Sequence, residues 1–267
     1  MRENMKTNIG FTQARNELSK GNLHRWLQNM DFCDKIYIYD NNSTDGSLEV
    51  YASNPKCVVV RSTTNNFEYE LVCKRILLKK LLSENPEVQW ICWTDVDTLL
   101  DARLVANNAE VLRYWLGKAQ SNGVDGIKLG HYNMWNATHY RVDNSYHCFH
   151  EWGRIPFWRN NGRLEFPAIP GLHQSQEPKG LDKIIRIDYN LVHMGFADPE
   201  QRRVRYETYK SKGQVGPDLD RLIDETTLWL ESVPKYVIDS CTGIEDHEEV
   251  SESCECGSCE DSTDPSI

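Results

Sequence analysis

The chain has no apolar run long enough to cross a bilayer. Its opening, Met1-Arg-Glu-Asn-Met-Lys-Thr-Asn8, has no apolar core of the kind a secretory leader carries. Both absences make a soluble, cytoplasmic protein the expectation, in which the sequon Asn136-Ala-Thr138 has no meaning. Positive charge is not in excess: Lys and Arg total 30, Asp and Glu 40. No Lys or Arg follows Lys235, whereas ten acids do, from Asp239 to Asp264. The body therefore balances, 30 against 30, and the end of the chain carries the whole net charge of -10. Phosphate affinity needs a basic footprint, so nucleic acid is excluded as a general partner. Internal repeats are also missing.

Cysteine shows no disulfide framework. Cys33, Cys57, Cys73, Cys92 and Cys148 stand singly in apolar or element-like segments, which suits buried thiols in a reducing compartment. Cys254, Cys256 and Cys259, with Cys241 and His247 upstream, have a zinc-compatible spacing. Their Ser- and Glu-rich setting favours a flexible tail instead.

What is present is enough apolar residue, 39% of 267, for one large core or a core with a small appendage. Strand character is expected at 8–12, 35–40, 57–61, 90–95, 125–130 and 184–193, and helices at 22–30, 43–53, 70–83, 103–119, 199–212 and 217–233. Ser43 is the expected cap of the second helix. Asp198-Pro199-Glu200 is an acidic cap followed by proline at the first helical position. Alternating strands and helices imply an α/β fold with a mostly parallel sheet covered by helices. The stretch 131–178 has no clean period and is rich in aromatics. Such long irregular segments inside a domain are usually functional.

The most informative stretch is Trp90-Ile-Cys-Trp-Thr-Asp-Val-Asp97. An apolar strand delivers Asp95 and Asp97 at its carboxyl end, where open α/β sheets bind ligands. Carboxylates are costly to bury unless paired or bound to a cation, so the pair suggests a divalent metal site. The bland alternative is that they only cap the following turn.

In order along the chain, four further segments accompany this one: Ala14-Arg-Asn-Glu17, Lys35-Ile-Tyr-Ile-Tyr-Asp-Asn-Asn-Ser-Thr-Asp-Gly46, Arg154 to His173, and Val192-His193-Met-Gly195. Together they resemble a nucleotide-sugar-dependent glycosyltransferase of the family 2 kind, with the GT-A (Rossmann-like) fold and Asp95-Val-Asp97 as its DxD motif. The likeness spans roughly residues 8 to 213. It implies a GT-A domain over 1–236, with a nucleotide half at about 8–130 and an acceptor half at about 131–236, and leaves 237–267 as an acidic, Cys-containing disordered tail.

The resemblance also implies roles. Asp40 would accept from the uracil N–H, with Ala14, Glu17 and Arg75 near the nucleotide. Asp95 would hold ribose or a metal-bound water. Asp97 would bind the metal directly and His193 would complete the coordination. An imidazole ligand tilts the choice of ion toward Mn²⁺ over Mg²⁺. The implied reaction moves a sugar from a UDP-sugar donor to a glycan or other hydroxyl acceptor, with inversion. Each residue also has a bland reading: an Asx turn for Asp40, Asn42 and Asp45, a solvated charge for Arg75, a structural strand-end imidazole for His193. The basic run Arg202 to Lys212 is either a diphosphate-neutralising helix or a solvated face.

Inversion needs a base for the acceptor hydroxyl. Relatives often have His-Glu where this chain reads Leu172-His173-Gln174, and glutamine cannot take a proton. His173 is placed first, then Glu177, with Glu165 and Glu151 beside His150 as substitutes. Tyr132, Trp135, Tyr140, Tyr146, Trp152 and Trp158 are an expected acceptor floor or lid, or else ordinary core. Two other function classes stay open. Asp95-Val-Asp-Thr-Leu99 also fits the first motif of a haloacid-dehalogenase-like phosphatase, although the later acidic motif is missing. A catalytically degenerate nucleotide-sugar-binding protein is the third.

Overall fold

The chain opens into a strand, β1 (Asn8–Ala14), whose residues are buried on both sides apart from Gln13. This computed structural model describes residues 8–66, 68–142, 153–169, 177–225 and 230–242. Four further elements follow β1: α1 (Leu23–Asn29), β2 (Lys35–Asp40), α2 (Ser47–Ser53) and β3 (Cys57–Arg61). Next come α3 (Glu70–Glu84), β4 (Trp90–Trp93), β5 (Thr98–Leu100), α4 (Ala102–Ser121) and β6 (Gly126–Asn133). The remaining elements are β7 (His139–Arg141), β8 (Arg154–Arg159), β9 (Ile184–His193), α5 (Pro199–Ser211), α6 (Pro217–Asp220), β10 (Leu230–Ser232) and α7 (Lys235–Thr242).

Eight strands form one sheet in the order β3-β2-β1-β4-β8-β6-β9-β5, and β10 pairs with β7 apart from it. Successive residues of a strand point to opposite faces. Trp90 and Cys92 of β4 accordingly join Leu23, Trp26, Tyr51 and Leu112 in one core cluster. Ile91 and Trp93 join Leu71, Leu77, Leu81 and Trp158 in the other. Helices α1, α2 and α4 thus cover one face and α3 the other, the α/β arrangement expected of a GT-A fold.

Strands β1, β2, β3 and β4 run parallel. β8 is antiparallel to both β4 and β6, so β6 runs with β4, and β9 is parallel to β6. The carboxyl ends of all these parallel strands therefore share one edge. β5 is antiparallel to β9 and begins at that edge, with Thr98 opposite His193.

Several expectations need correction. Ser43 does not cap α2; the helix starts at Ser47 after Gly46, and Ser43 Oγ accepts from the Asn16 N–H at 3.0 Å. The irregular stretch 131–178 supplies a central strand, β8, which its Pro156 conceals because proline breaks a ladder hydrogen bond. Asn107, Asn108 and Ala109 interrupt α4 with left-handed backbone, φ 49 to 56°. The expected helix over 217–233 shrinks to α6, because β10 pairs with β7 through Ser232–His139 and Leu230–Arg141.

The boundary at residue 236 also moves. α7 begins at Lys235 and continues to Thr242, with Val237 fully buried. The Ala102 N–H donates to Ser240 Oγ at 2.8 Å, and the Arg103 guanidinium lies 3.6 Å from the Tyr236 ring centre. A chain ending at Pro234 is expected to lose about 3 kcal/mol relative to one ending at Thr242, from one buried Val, one hydrogen bond and one cation–π contact. Paired melting curves check this; equal midpoints would mean α7 contributes nothing.

At the edge opposite the strand ends, buried Asp125 ties three segments together. Its carboxylate accepts from Arg159 Nη2 at 2.6 Å, Asn161 Nδ2 at 2.9 Å, and the N–H groups of Asp182 and Lys183 at 3.3 and 3.2 Å. Arg163 Nη2 lies 3.3 Å away. Burial pushes its pKa up, but these donors outweigh burial and bring it to about 2.

Candidate functional site

The carboxyl edge gathers acids from three adjacent strands. Ala14, the last residue of β1, is in register with Asp40, the last of β2. Asp40 is fully buried. Its Oδ2 accepts from the Ser43 N–H at 3.0 Å, and its Oδ1 is buried with no partner among the described residues. The turn-shaping reading thus accounts for one oxygen and leaves the other as an orphaned acceptor, which is costly unless a ligand donor or water meets it.

The loops beyond β1 and β2 are stitched together. Asn16 Oδ1 accepts from the Thr44 N–H, and Asp45 accepts from the N–H groups of Ser19 and Ser47 at 2.7 and 3.0 Å. Asp45 therefore shapes the loop, as its bland reading expects. Ser47 Oγ accepts from the N–H groups of Glu17 and Leu18, both at 3.1 Å. This fixes Glu17, whose Oε1 lies 2.6 Å from Lys20 Nζ while Oε2 is buried and unpartnered among the described residues. Burial pushes the Glu17 pKa up to about 7 against the pull of Lys20, helped by the charges of Asp97 and Asp95. Tyr51, one turn along α2 from Ser47, adds a buried hydroxyl with no partner among the described residues.

Asp95 follows Trp93 at the end of β4. Lys74 Nζ, on a side chain only 1% exposed, sits 4.7 Å from the centre of the Trp93 ring and 2.6 Å from Glu70 Oε1. Burial raises the Asp95 pKa; Lys74 opposes this and the Asp97 charge adds to it. Arg75, expected near the nucleotide, is instead paired with Glu165 at 3.6 Å. Of these two neighbours, helical phase buries Lys74 and leaves Arg75 partly exposed.

Asp97 is the centre of the arrangement. Thr98 opens β5 opposite His193, the last residue of β9, so the pairing of these strands brings the two side chains together. His193 Nε2 lies 3.4 Å from Asp97 Oδ2, and Arg205 Nη2, from α5, 3.1 Å from the same oxygen. The Met194 N–H donates to the Asp97 carbonyl at 2.7 Å and locks the turn. Burial pushes the Asp97 carboxyl up, but the His193 charge and hydrogen bond, then Arg205, leave it well below the usual carboxylate range. The two aspartates are therefore driven apart, with Asp97 firmly ionised and Asp95 less so, the pattern of groups with different tasks.

The chemistry of His193 tests whether a cation fits here. Its Nδ1 is 2.6 Å from Asn133 Oδ1 on β6. Nδ1–H donates to that oxygen, which leaves Nε2 facing a carboxylate. With that tautomer, Nε2 and Arg205 Nη2 both face Asp97 Oδ2, and a proton on Nε2 or a metal ion would meet the remaining charge of the carboxylate. A side chain at Gly195 would fill the gap: its Cβ would stand 2.5 Å from Nε2 and 2.6 Å from Asp97 Oδ2. Two protein donors, with the remainder from phosphate and water, suit Mg²⁺ or Mn²⁺ better than a closed protein cage. No group of three or more His, Cys, Asp or Glu that could hold a metal ion is present among the described residues. Buried His131 lies against His193 with ring centres 5.6 Å apart. Burial, then the charges of His193 and Arg154, push its imidazole well below the ordinary value.

Of the expected base candidates, Glu177 Oε1 accepts from the Ile155 N–H at 3.4 Å. Ile155 lies past the Cys92–Phe157 pairing, toward the carboxyl end of β4, so Glu177 is at the same edge. Glu165 lies with Arg75. His173, with Leu172 and Gln174, and His150-Glu151 lie outside the described residues. The same holds for Cys148, Tyr146, Trp152 and the tail from 243 onward. Trp135, Tyr140 and Trp158 are 4%, 6% and 0% exposed, so these three are core and not an open acceptor floor. Tyr132 packs edge-on against Tyr140. Cys33, Cys57, Cys73 and Cys92 are free thiols.

No family model and no curated protein matches the chain. Among solved structures it is similar to a 4-diphosphocytidyl-2C-methyl-D-erythritol synthase, at 16% identity over 59% of this chain and 76% of that one, with a TM-score of 0.37. GalNAc-T7 with UDP, GalNAc and Mn²⁺ matches at 11% identity over 90% of this chain and 55% of that one, TM-score 0.41. HddC from Yersinia pseudotuberculosis matches at 10% identity over 76% and 99%, TM-score 0.36. The chain thus spans about half the length of the GalNAc-T7 structure. At such distances the chemistry has to come from this chain's own residues. No helix among the described residues is long and apolar enough to cross a membrane.

Proposed function

We propose that this chain is a metal-dependent glycosyltransferase that moves a sugar from a UDP-sugar to a hydroxyl acceptor with inversion. The observation that carries this reading is the meeting of Asp97 and His193, 3.4 Å apart, on the edge where buried oxygens of Asp40 and Glu17 have no partner among the described residues. Orphaned carboxylate oxygens at neighbouring strand ends suit a ligand rich in N–H and O–H donors, such as a nucleoside. Asp40 Oδ1 accepts from the base edge. Glu17 and Asp95 take ribose hydroxyls, with Ala14 giving the base room to approach. Asp97 and His193 hold Mn²⁺ or Mg²⁺. When bound, the ion neutralises charge on the leaving diphosphate as a Lewis acid.

Arg75 has no part in this reading, because it faces Glu165. The acceptor lies on the β8 side, where Glu177 stands. His173 is the first candidate for the base and Glu177 the second. A hydroxyl proton must pass to a group within hydrogen-bond reach while the acceptor oxygen attacks the anomeric carbon.

A thermal-shift panel of nucleotide sugars, with and without Mn²⁺, tests the proposal. A ligand at 100 times its Kd stabilises the native state by about 2.7 kcal/mol, which for a chain of this size raises the midpoint by roughly 5–10 °C. UDP-sugars plus Mn²⁺ should produce such a rise. A panel with no response would remove the nucleotide-sugar reading, and turnover of phosphate monoesters would favour the phosphatase.

A further inference from the structure

Among the basic residues of α5, Arg205 alone touches the strand-end acids. Arg202 is buried and spent on the carbonyls of Trp135 and Phe196 and on Glu225. Lys210 meets Tyr206, and Lys212 lies 3.6 Å from Glu68. Arg203 is exposed. Arg205 instead turns inward: Nη2 is 3.1 Å from Asp97 Oδ2, and the guanidinium carbon is 5.1 Å from the centre of the Phe196 ring. A Cβ at Gly195 would come within 2.9 Å of Nη2, so the glycine that keeps the Asp97–His193 gap open also admits this guanidinium. The side chain retains 26% exposure, so one side of it faces the open edge.

A guanidinium has five donors in a planar fork matched to phosphate oxygens. Among the described residues the fork has one hydrogen-bond partner, Asp97, which leaves its other donors for an incoming anion. We infer that Arg205 is the diphosphate-binding residue of the donor site, resting on Asp97 in the free protein and engaging the phosphates when the donor enters. This rests on the nucleotide-sugar reading above. A cation held by Asp97 and His193 would neutralise Asp97 and free Arg205, whose guanidinium stands at the same edge, for the donor's phosphates. The basic character of α5 thus reduces to one functional charge, with Arg202 and Lys210 held by local contacts and Arg203 on the exposed face.

Titration calorimetry with UDP and with uridine, in Mn²⁺ and in EDTA, separates the roles. Arg205→Met should weaken UDP binding about 10- to 100-fold, the scale of charge-assisted hydrogen bonds, and leave uridine binding unchanged. Arg205→Lys keeps the charge without the fork and should fall between the two. Arg203→Met, an equal change of charge on the exposed face, should bind both ligands as the wild type does. Circular dichroism melts verify that each variant is folded, and Arg205→Lys carries the test if the methionine variant is not. Unchanged UDP affinity in the Arg205 variants, or an equal loss for UDP and uridine, would overturn the inference. A wild-type chain that binds neither ligand would instead overturn the nucleotide-sugar reading itself.

Discussion

Asp97→Ala is expected to lower metal-dependent sugar transfer by about a thousandfold or more while the protein stays folded. Stabilisation of a leaving diphosphate by a bound ion is worth several kcal/mol, and about 4 kcal/mol corresponds to three decades in rate. The side chain is 15% exposed and no core cluster depends on it. The backbone contact that shapes the turn, Met194 N–H to the Asp97 carbonyl, survives the substitution. The expected melting shift is therefore within a few degrees. His193→Ala should act in the same direction but less strongly, since it leaves the Asp97 carboxylate in place. A fully active Asp97→Ala would show that Asp97 is only a turn residue.

The second large effect lies at the other end of the sheet and concerns stability. Asp125→Ala should cost about 3–5 kcal/mol, because it takes the carboxylate from Arg159 and leaves two backbone N–H groups around a void, while Arg163 keeps Asp182. In urea this appears as a lower midpoint with an unchanged slope. The pH dependence follows from the direction of the shift. The folded pKa is depressed to about 2 from an unfolded value near 3.9, so the contribution is complete above about pH 4. It fades as pH falls through 2. The gap between wild type and Asp125→Ala should therefore narrow by about 2–3 kcal/mol at strongly acidic pH. A constant difference between them from pH 7 to pH 2 would assign the loss to packing and not to the carboxylate.

The first half of the chain was largely legible because its signals are local. Lys35–Asp40 and Cys57–Arg61 read as β-rich runs bounded by turn residues, and the structure has strands over both ranges. Asp198-Pro199 announced α5, where the Asp198 carboxylate accepts from the Glu200 and Gln201 N–H groups. The second half depends on pairing between distant segments, which leaves little local trace. β8 enters the sheet between β4 and β6 despite Pro156, and β5 is three residues long and defined by its partner β9. The helical spacing over 217–233 is real as a pattern but loses to the β10–β7 ladder. At the site, the acids were visible as strand-end residues. Asn133 and Lys74 were not, and Arg205 was visible only as one member of the basic run 202–212, because their relation to Asp97 and His193 arises only when β6, α3 and α5 are placed. The acidic end was read correctly as a change of composition, yet composition does not locate its start. Val237 and Ser240 keep the chain attached to α4 up to Thr242.

The most direct measurement is the release of UDP from UDP-sugars by the purified chain, with Mn²⁺ and with EDTA, in parallel with a phosphate monoester. A metal-dependent transferase gives UDP in Mn²⁺, little or none in EDTA, and leaves the monoester intact. UDP release that is indifferent to EDTA, or hydrolysis of the monoester alone, would contradict the assignment of Asp97 and His193 as a cation site serving a nucleotide-sugar donor.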